Sequence, residues 1–262
     1  MRRSPLLLAC CLLALPAGFS EGRLGVASAS AAPKAKAGAC GVAAMPLAVG
    51  NSWTFVPVPP PVEPSPAAKL FLPLQPKEVT ITVTDVATAG AVTTVTLEEN
   101  VDGTKIASTI VCGGGKFEIA PQSFLYAGEP GGWLDLEFST WTSSGPSWVL
   151  TGSKFAPEWR EDVKATWRRL GADKATGSLE LERRVAIDGV EEVSTAAGQF
   201  KATRMIVELT GRVTLDKPVQ AKAPIEMPAN WINALWFADG VGPVQVLNAY
   251  AHMYSLDLEL AQ

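Results

Sequence analysis

The fold is decided by the stretch Val190-Glu191-Glu192-Val193-Ser194-Thr195-Ala196-Ala197-Gly198-Gln199-Phe200-Lys201-Ala202-Thr203-Arg204. Residues on both sides of Ala196-Ala197-Gly198 alternate in polarity, which is typical of two half-buried strands joined by a tight turn. Gly198 supplies the backbone freedom that the turn needs. The stretch therefore predicts an antiparallel hairpin.

Similar turn signals recur along the chain. Asp102-Gly103, Asp188-Gly189 and Asp239-Gly240 are predicted turns between strands, because Gly103, Gly189 and Gly240 tolerate the positive φ of a tight hairpin turn. Residues 163–170 are predicted to form a strand. The residues before it, 157–162, are a candidate for a short helix. The sequence thus predicts a mainly β protein: a single large curved antiparallel sheet or open half-barrel with few short helices.

The composition sets limits on partners. The chain has 262 residues, 47% of them hydrophobic, which is enough for one large β domain with a core. Its net charge is −4 at pH 7. Because phosphate backbones are bound by clustered Lys and Arg, we expect no nucleic-acid partner.

Residues 1–31 resemble an export signal. Arg2 and Arg3 precede an apolar run over 6–15, and Ala29-Ser30-Ala31 fits a small-x-small cleavage site. Gly18-Phe19-Ser20 is a second candidate for cleavage. We therefore expect a periplasmic or extracellular protein whose mature chain does not span a membrane.

Leu7-Leu8-Ala9-Cys10 resembles a lipobox, but the apolar run before it is short, so lipid anchoring at Cys10 is not expected. Removal of the signal leaves Cys40 and Cys112, which are predicted to form a disulfide in an oxidising compartment. Two unpaired thiols are the alternative. A metal site fits less well, because two Cys and one distant His do not complete a tetrahedral set.

The mature chain divides into two parts. Residues 32–44 are predicted to be a flexible leader, and 45–262 an antiparallel β domain. A proline-rich surface loop is expected at about 57–68, because proline cannot donate ladder hydrogen bonds.

The usual catalytic motifs are missing from the sequence. His252 is its one histidine, and no Gly-x-Ser-x-Gly elbow accompanies it. Residues 98–103 resemble half a calcium loop, but Thr109 stands where the twelfth ligand belongs, so a hairpin tip is the better interpretation. Carboxylates for a hydrolase exist, yet no spacing selects a pair. We expect no enzyme activity, no cofactor and no metal.

The most suggestive cluster is aromatic. Five of the eight tryptophans fall in a short span, where they could face an apolar ligand; the alternative is that they fill the core. They are Trp133, Trp141, Trp148, Trp159 and Trp167.

Three motifs resemble uncharacterised bacterial secreted β proteins of the DUF3108-like, LolA/LolB-like type. They are Pro46-Leu47-Ala48-Val49-Gly50-Asn51-Ser52-Trp53, the hairpin from Glu192 to Ala202, and the segment from Trp236 to Val244. The resemblance implies a strongly curved sheet whose concave face holds an acyl chain or a covering helix. It carries over no ligand-binding residue, because the motifs are turns and strands.

These observations favour an exported, non-enzymatic protein that binds a lipid or another apolar small molecule in the cell envelope. The alternative is a structural or protein-interaction module with an envelope protein as partner, and a polymer hydrolase comes third. The first hypothesis predicts an apolar cavity. The second predicts a filled interior with an exposed apolar patch or a free strand edge.

Overall fold

One antiparallel sheet makes up nearly all of the structure. The computed structural model describes residues 38–58, 76–127, 136–169, 174–216, 223–250 and 254–262. Its 14 strands form a single curved sheet that is not closed into a barrel, as the sequence predicted.

The strands are short in the first half of the chain and long in the second. The first half contains β1 (Ser52–Pro57), β2 (Val79–Ala89), β3 (Val92–Val101), β4 (Thr104–Gly113) and β5 (Lys116–Ile119). A single helical turn, α1 (Phe124–Ala127), is followed by β6 (Leu136–Ser143), β7 (Trp148–Thr151) and β8 (Lys154–Phe155). The second half contains β9 (Glu158–Arg169), β10 (Thr176–Thr195), β11 (Gly198–Leu215), β12 (Ile225–Ala238), β13 (Gly242–Tyr250) and β14 (Tyr254–Leu260).

The strand order is β6-β9-β10-β11-β12-β13-β14-β1-β2-β3-β4-β5-β7-β8. The first and last strands of the chain are therefore neighbours, with Phe55 paired to Leu260. The amide of Thr54 donates to the carbonyl of Gln262 (3.0 Å), which extends this pairing to the last residue. The middle of the chain supplies both edges of the sheet.

Three of the predicted turns are turns in the structure. Val101 pairs with Thr104 across Asp102-Gly103, where both residues have positive φ. Thr195 pairs with Gly198 across two alanines. A three-residue turn that contains Gly240 joins Ala238 to Gly242.

The predicted hairpin at Asp188-Gly189 is wrong. β10 continues through both residues for its full 20 residues and pairs with the 18 residues of β11. The register shifts between Ile187 and Gly189, so Asp188 is the extra residue of a β-bulge. Asp-Gly signals a turn or a bulge equally, since both place glycine at positive φ.

β9 occupies the whole of 158–169 as a strand. Its residues alternate strictly between buried and exposed, with Trp159, Val163 and Trp167 facing inward. The short helix suggested for 157–162 is absent, because inward packing at every second residue requires an extended backbone.

The segment before β1 packs onto the sheet. Ala39 bridges to Leu47, Val42 and Ala44 are buried, and the amide of Gly240 donates to the carbonyl of Ala43 (2.7 Å). A disulfide joins Cys40 to Cys112 on β4, as expected from the cysteine count. The later part of the predicted leader, residues 38–44, is thus attached at three points.

Two of the three sequence motifs meet in space. The Trp53 indole donates to the carbonyl of Val241 (2.6 Å) and lies over Gly242, where an added Cβ would come within 2.2 Å of the ring nitrogen. Trp236 donates to Glu191 (2.5 Å), which links the third motif to the residues beside the hairpin. The motifs therefore contain residues that connect one strand to another.

Some predictions fall outside the described residues. They are the signal peptide over 1–31, the start of the leader, most of the proline-rich loop, Trp133 and His252. In the part of the chain that is described, no helix has the length and hydropathy to cross a membrane.

Candidate functional site

Aromatic rings pack together on the inner side of the sheet. Trp148 is completely buried, with its ring centroid 5.4 Å from that of Phe155, 5.5 Å from Phe237 and 6.1 Å from Phe117. Phe124 of α1 lies 5.4 Å from Phe55 of β1. These contacts join strands from both halves of the sheet into one core.

The described tryptophans of the predicted cluster belong to this core. Trp148, Trp159 and Trp167 are buried, and Trp141 is half-buried against Tyr126 and Phe138. They pack on each other and on neighbouring strands. A ligand-facing role for them stays a prediction.

Glu99 holds the start of α1 from inside the sheet. Its carboxylate is buried and accepts hydrogen bonds from the hydroxyls of Ser123 (2.6 Å) and Ser108 (2.8 Å) and from the amide of Phe124 (2.8 Å). Burial raises the pKa of the Glu99 carboxyl, and the three donors oppose that rise. The carboxylate thus satisfies an amide that the helix itself leaves without an acceptor.

Arg183 holds the other end of α1. Its fully buried guanidinium donates to the carbonyl of Tyr126 (2.7 Å) and lies 4.5 Å from the centre of the Tyr126 ring. It also forms an ion pair with buried Glu161 (2.8 Å), its cross-strand partner on β9. The helical turn is therefore held at its start by the Glu99 carboxyl group and at its end by the Arg183 guanidinium.

Ser147 connects strands that lie near the two edges of the sheet. Its carbonyl accepts from Arg183 (2.7 Å) and from the Trp159 indole (2.8 Å), on β10 and β9. Its amide donates to Phe117 (2.8 Å), and its hydroxyl accepts from the amide of Ile119 (3.0 Å), both on β5. One residue thus bridges strands that lie near opposite edges of the sheet.

A partly exposed apolar patch lies on the inner face where β11 and β12 extend beyond β13. We call it the rim patch; its members are Val213, Leu215, Ile225 and Met227. Val213 pairs with Met227 and with buried Leu179, so the patch shares the inward face of the sheet. Ile225 is 40% and Met227 45% exposed.

A polar groove of about 450 Å³ lies on the outer face of the same strands. Two cross-strand rows line this outer groove. The hydroxyl row is Thr140, Thr166, Ser178 and Thr214, and it ends at Glu226. The ion row is Thr142, Lys164, Glu180 and Arg212.

Glu180 is at the centre of the ion row. One of its carboxylate oxygens accepts from Arg212 (2.7 Å) and the other from Lys164 (3.3 Å). These two cations lower the pKa of the Glu180 carboxyl, which keeps it ionised. The groove therefore presents internally paired charges beside a line of hydroxyls.

Sequence reasoning missed the buried charges Glu99, Glu161 and Arg183. A signal was present, because Arg183 stands between Leu181 and Val185 in the inward register of β10, and Glu161 stands between Trp159 and Val163 in that of β9. Two opposite charges at inward positions of neighbouring strands predict a buried pair. Among the described residues, no group of three or more His, Cys, Asp or Glu could hold a metal ion.

Fold and site together define a class: an open antiparallel half-barrel with a short internal helix and a stabilising disulfide. A candidate lipoprotein from Parabacteroides distasonis has a similar fold, with a TM-score of 0.51 and 14% identity over 84% of this chain and 98% of that one. A candidate exported protein with a YmcC-like fold from Bacteroides fragilis gives a TM-score of 0.49 and 12% identity, over 83% and 97% of the two chains.

No protein-family model matches the chain, and no curated protein matches it. The DUF3108-like, LolA/LolB-like label therefore stays a prediction. The shared architecture agrees with the curved sheet that the resemblance implied, and the Cys40–Cys112 disulfide fits an exported protein.

Proposed function

We propose that the protein is exported to the cell envelope and binds the apolar chain of a lipid-like ligand at the rim patch, without a catalytic step. The observation that carries this proposal is the exposure of Met227 and Ile225 beside their half-buried cross-strand partners, Val213 and Leu215, on the concave face. Clustered apolar residues on a concave surface are typical of ligand or membrane contacts.

Buried side chains in the described part of the chain limit where such a ligand lies. Phe124 and Tyr126 of α1 occupy the centre of the concave face, and moving them would break one hydrogen bond to each of the buried side chains Glu99 and Arg183. Each such hydrogen bond to a buried charged group contributes about 1.5–3 kcal/mol. We therefore place the apolar chain along the projecting ends of β11 and β12.

Two variants of one strand test the proposal. Met227→Glu puts a charge into the rim patch, whereas Ile232→Glu puts the same charge at a position 46% exposed on the outer face of β12. Titration with oleate, followed by tryptophan fluorescence, should give binding to the native protein and to Ile232→Glu, and at least tenfold weaker binding to Met227→Glu.

Native mass spectrometry of protein purified from the periplasm supplies a second readout. Co-purified lipid at one molecule per chain supports the proposal. Absence of lipid together with equal oleate titrations for both variants would overturn it.

A protein-interaction module is the second candidate, and the packed interior favours it. The rim patch would then contact an envelope protein. A photo-crosslinker at position 227 separates the two: a discrete protein adduct in cells, with no bound lipid, favours this candidate over the first.

A further inference from the structure

We propose that the outer groove binds a neutral oligosaccharide, laid across the strands along the hydroxyl row. The groove is on the opposite face of the sheet from the rim patch, so this site is independent of the proposed lipid site. Its volume of about 450 Å³ lies within the range of small-molecule sites.

The charges of the groove indicate a neutral ligand. Lys164 and Arg212 are balanced by Glu180 and Glu226, and both oxygens of Glu180 already accept hydrogen bonds from the two cations. A free anion would have to displace Glu180, and a free cation would meet Lys164 and Arg212. A ligand with many hydroxyls and no charge avoids both of these costs. Its hydroxyls can both donate and accept hydrogen bonds.

The hydroxyl row indicates an extended ligand. Thr140 pairs with Thr166, Thr166 with Ser178, Ser178 with Thr214, and Thr214 with Glu226. Neighbouring strands lie about 4.8 Å apart, so the row from β6 to β12 is about 19 Å long. That length exceeds one sugar ring and suits a short chain of them.

Part of the row is fixed before any ligand arrives. A bulge in β6 shifts the register between Phe138 and Thr140. The Thr140 hydroxyl then accepts from the amide of Thr166 (3.1 Å) and lies 2.8 Å from the Thr166 hydroxyl. Side chains that are already ordered lose less entropy on binding, which favours recognition.

The test compares two pairs of Thr→Val changes, which remove hydroxyls and keep side-chain shape. Thr166→Val/Thr214→Val alters the row, and Thr94→Val/Thr109→Val alters the outer face of β3 and β4 as a matched control. Isothermal titration with chitotetraose and with maltotetraose should show binding of at least one sugar to the native protein and the control, and about tenfold weaker binding to the row variant.

Thermal unfolding of both variants checks that they remain folded. The proposal is overturned if neither sugar binds the native protein, if the row variant binds as tightly as the control, or if inorganic phosphate displaces the sugar at equal concentration. None of these results depends on whether oleate binds at the rim patch.

Discussion

Three charged side chains stand where the strand pattern calls for apolar ones. Arg183, Glu161 and Glu99 are buried, and each is paired or hydrogen-bonded. Buried ion pairs add little net stability, but losing one partner costs about 3–5 kcal/mol. Their effect here is to fix one position for α1 and for Ser147, which apolar contacts alone would leave less defined.

Glu99 makes stability depend on pH. Burial raises the pKa of its carboxyl above the ordinary 4.5, so the folded protein retains the proton to higher pH than the unfolded chain does. The contribution of this group is therefore fully present below about pH 4.5 and is lost as pH rises through the folded pKa. Glu99→Gln should remove this component from the pH profile of the free energy of unfolding.

Urea unfolding between pH 4 and pH 8 measures the effect. Glu98→Gln is the matched control, since Glu98 is adjacent, has a side chain that is 43% exposed, and pairs with Lys105. If the free energy of unfolding of Glu99→Gln changes with pH as steeply as that of the native protein, this pH dependence does not come from Glu99.

At the scale of elements, the joint between β1 and β13 depends on a glycine. Gly242 has a φ of 116° and lies beneath Trp53, whereas Gly240 has a φ of 73° and open space around it. Gly240→Ala should cost only backbone strain, roughly 1–2 kcal/mol. Gly242→Ala should cost more, because Trp53 must also move from the carbonyl of Val241.

Denaturant unfolding of the two variants gives the comparison, and tryptophan fluorescence reports the displaced ring. Equal losses of stability in Gly240→Ala and Gly242→Ala would show that the contact with Trp53 contributes nothing.

Strand identity was predictable from sequence, and strand length was not. The alternation of apolar residues predicted β10 and β11, because each strand buries one face. Asp188-Gly189 predicts a hairpin turn but forms a bulge, because the choice between the two depends on whether a partner strand continues beyond it. Arg204 and Met205 of β11 continue the pairing across this point, and the alternation within one strand does not show which residues those are.

The outer groove was beyond sequence reasoning for a similar reason. Each strand contributes one or two ordinary surface threonines or charges, and only the register across five strands puts them in rows. The disulfide, by contrast, followed from counting cysteines and from the expected compartment.

For the whole molecule, the Cys40–Cys112 bond closes a loop with a sequence separation of 72 residues. In the chain-entropy account, such a cross-link stabilises the native state by about 4 kcal/mol. Cys40→Ala/Cys112→Ala should therefore shift the midpoint of guanidinium unfolding markedly to lower concentration. Reduction of the native protein should give the same midpoint as the double variant, and a midpoint equal to that of the oxidised protein would contradict the prediction.

The disulfide also decides how the molecule would respond to tension. A force applied at residue 38 and at Gln262 passes from Cys40 through the sulfur atoms to Cys112, so the chain between the two cysteines, which contains β1, β2 and β3, cannot be drawn out end to end. The load falls first on β14, whose carboxyl end is pulled away from Thr54 and Phe55 one hydrogen bond at a time. Under load, the last strand should therefore peel off while the cross-linked part keeps its shape.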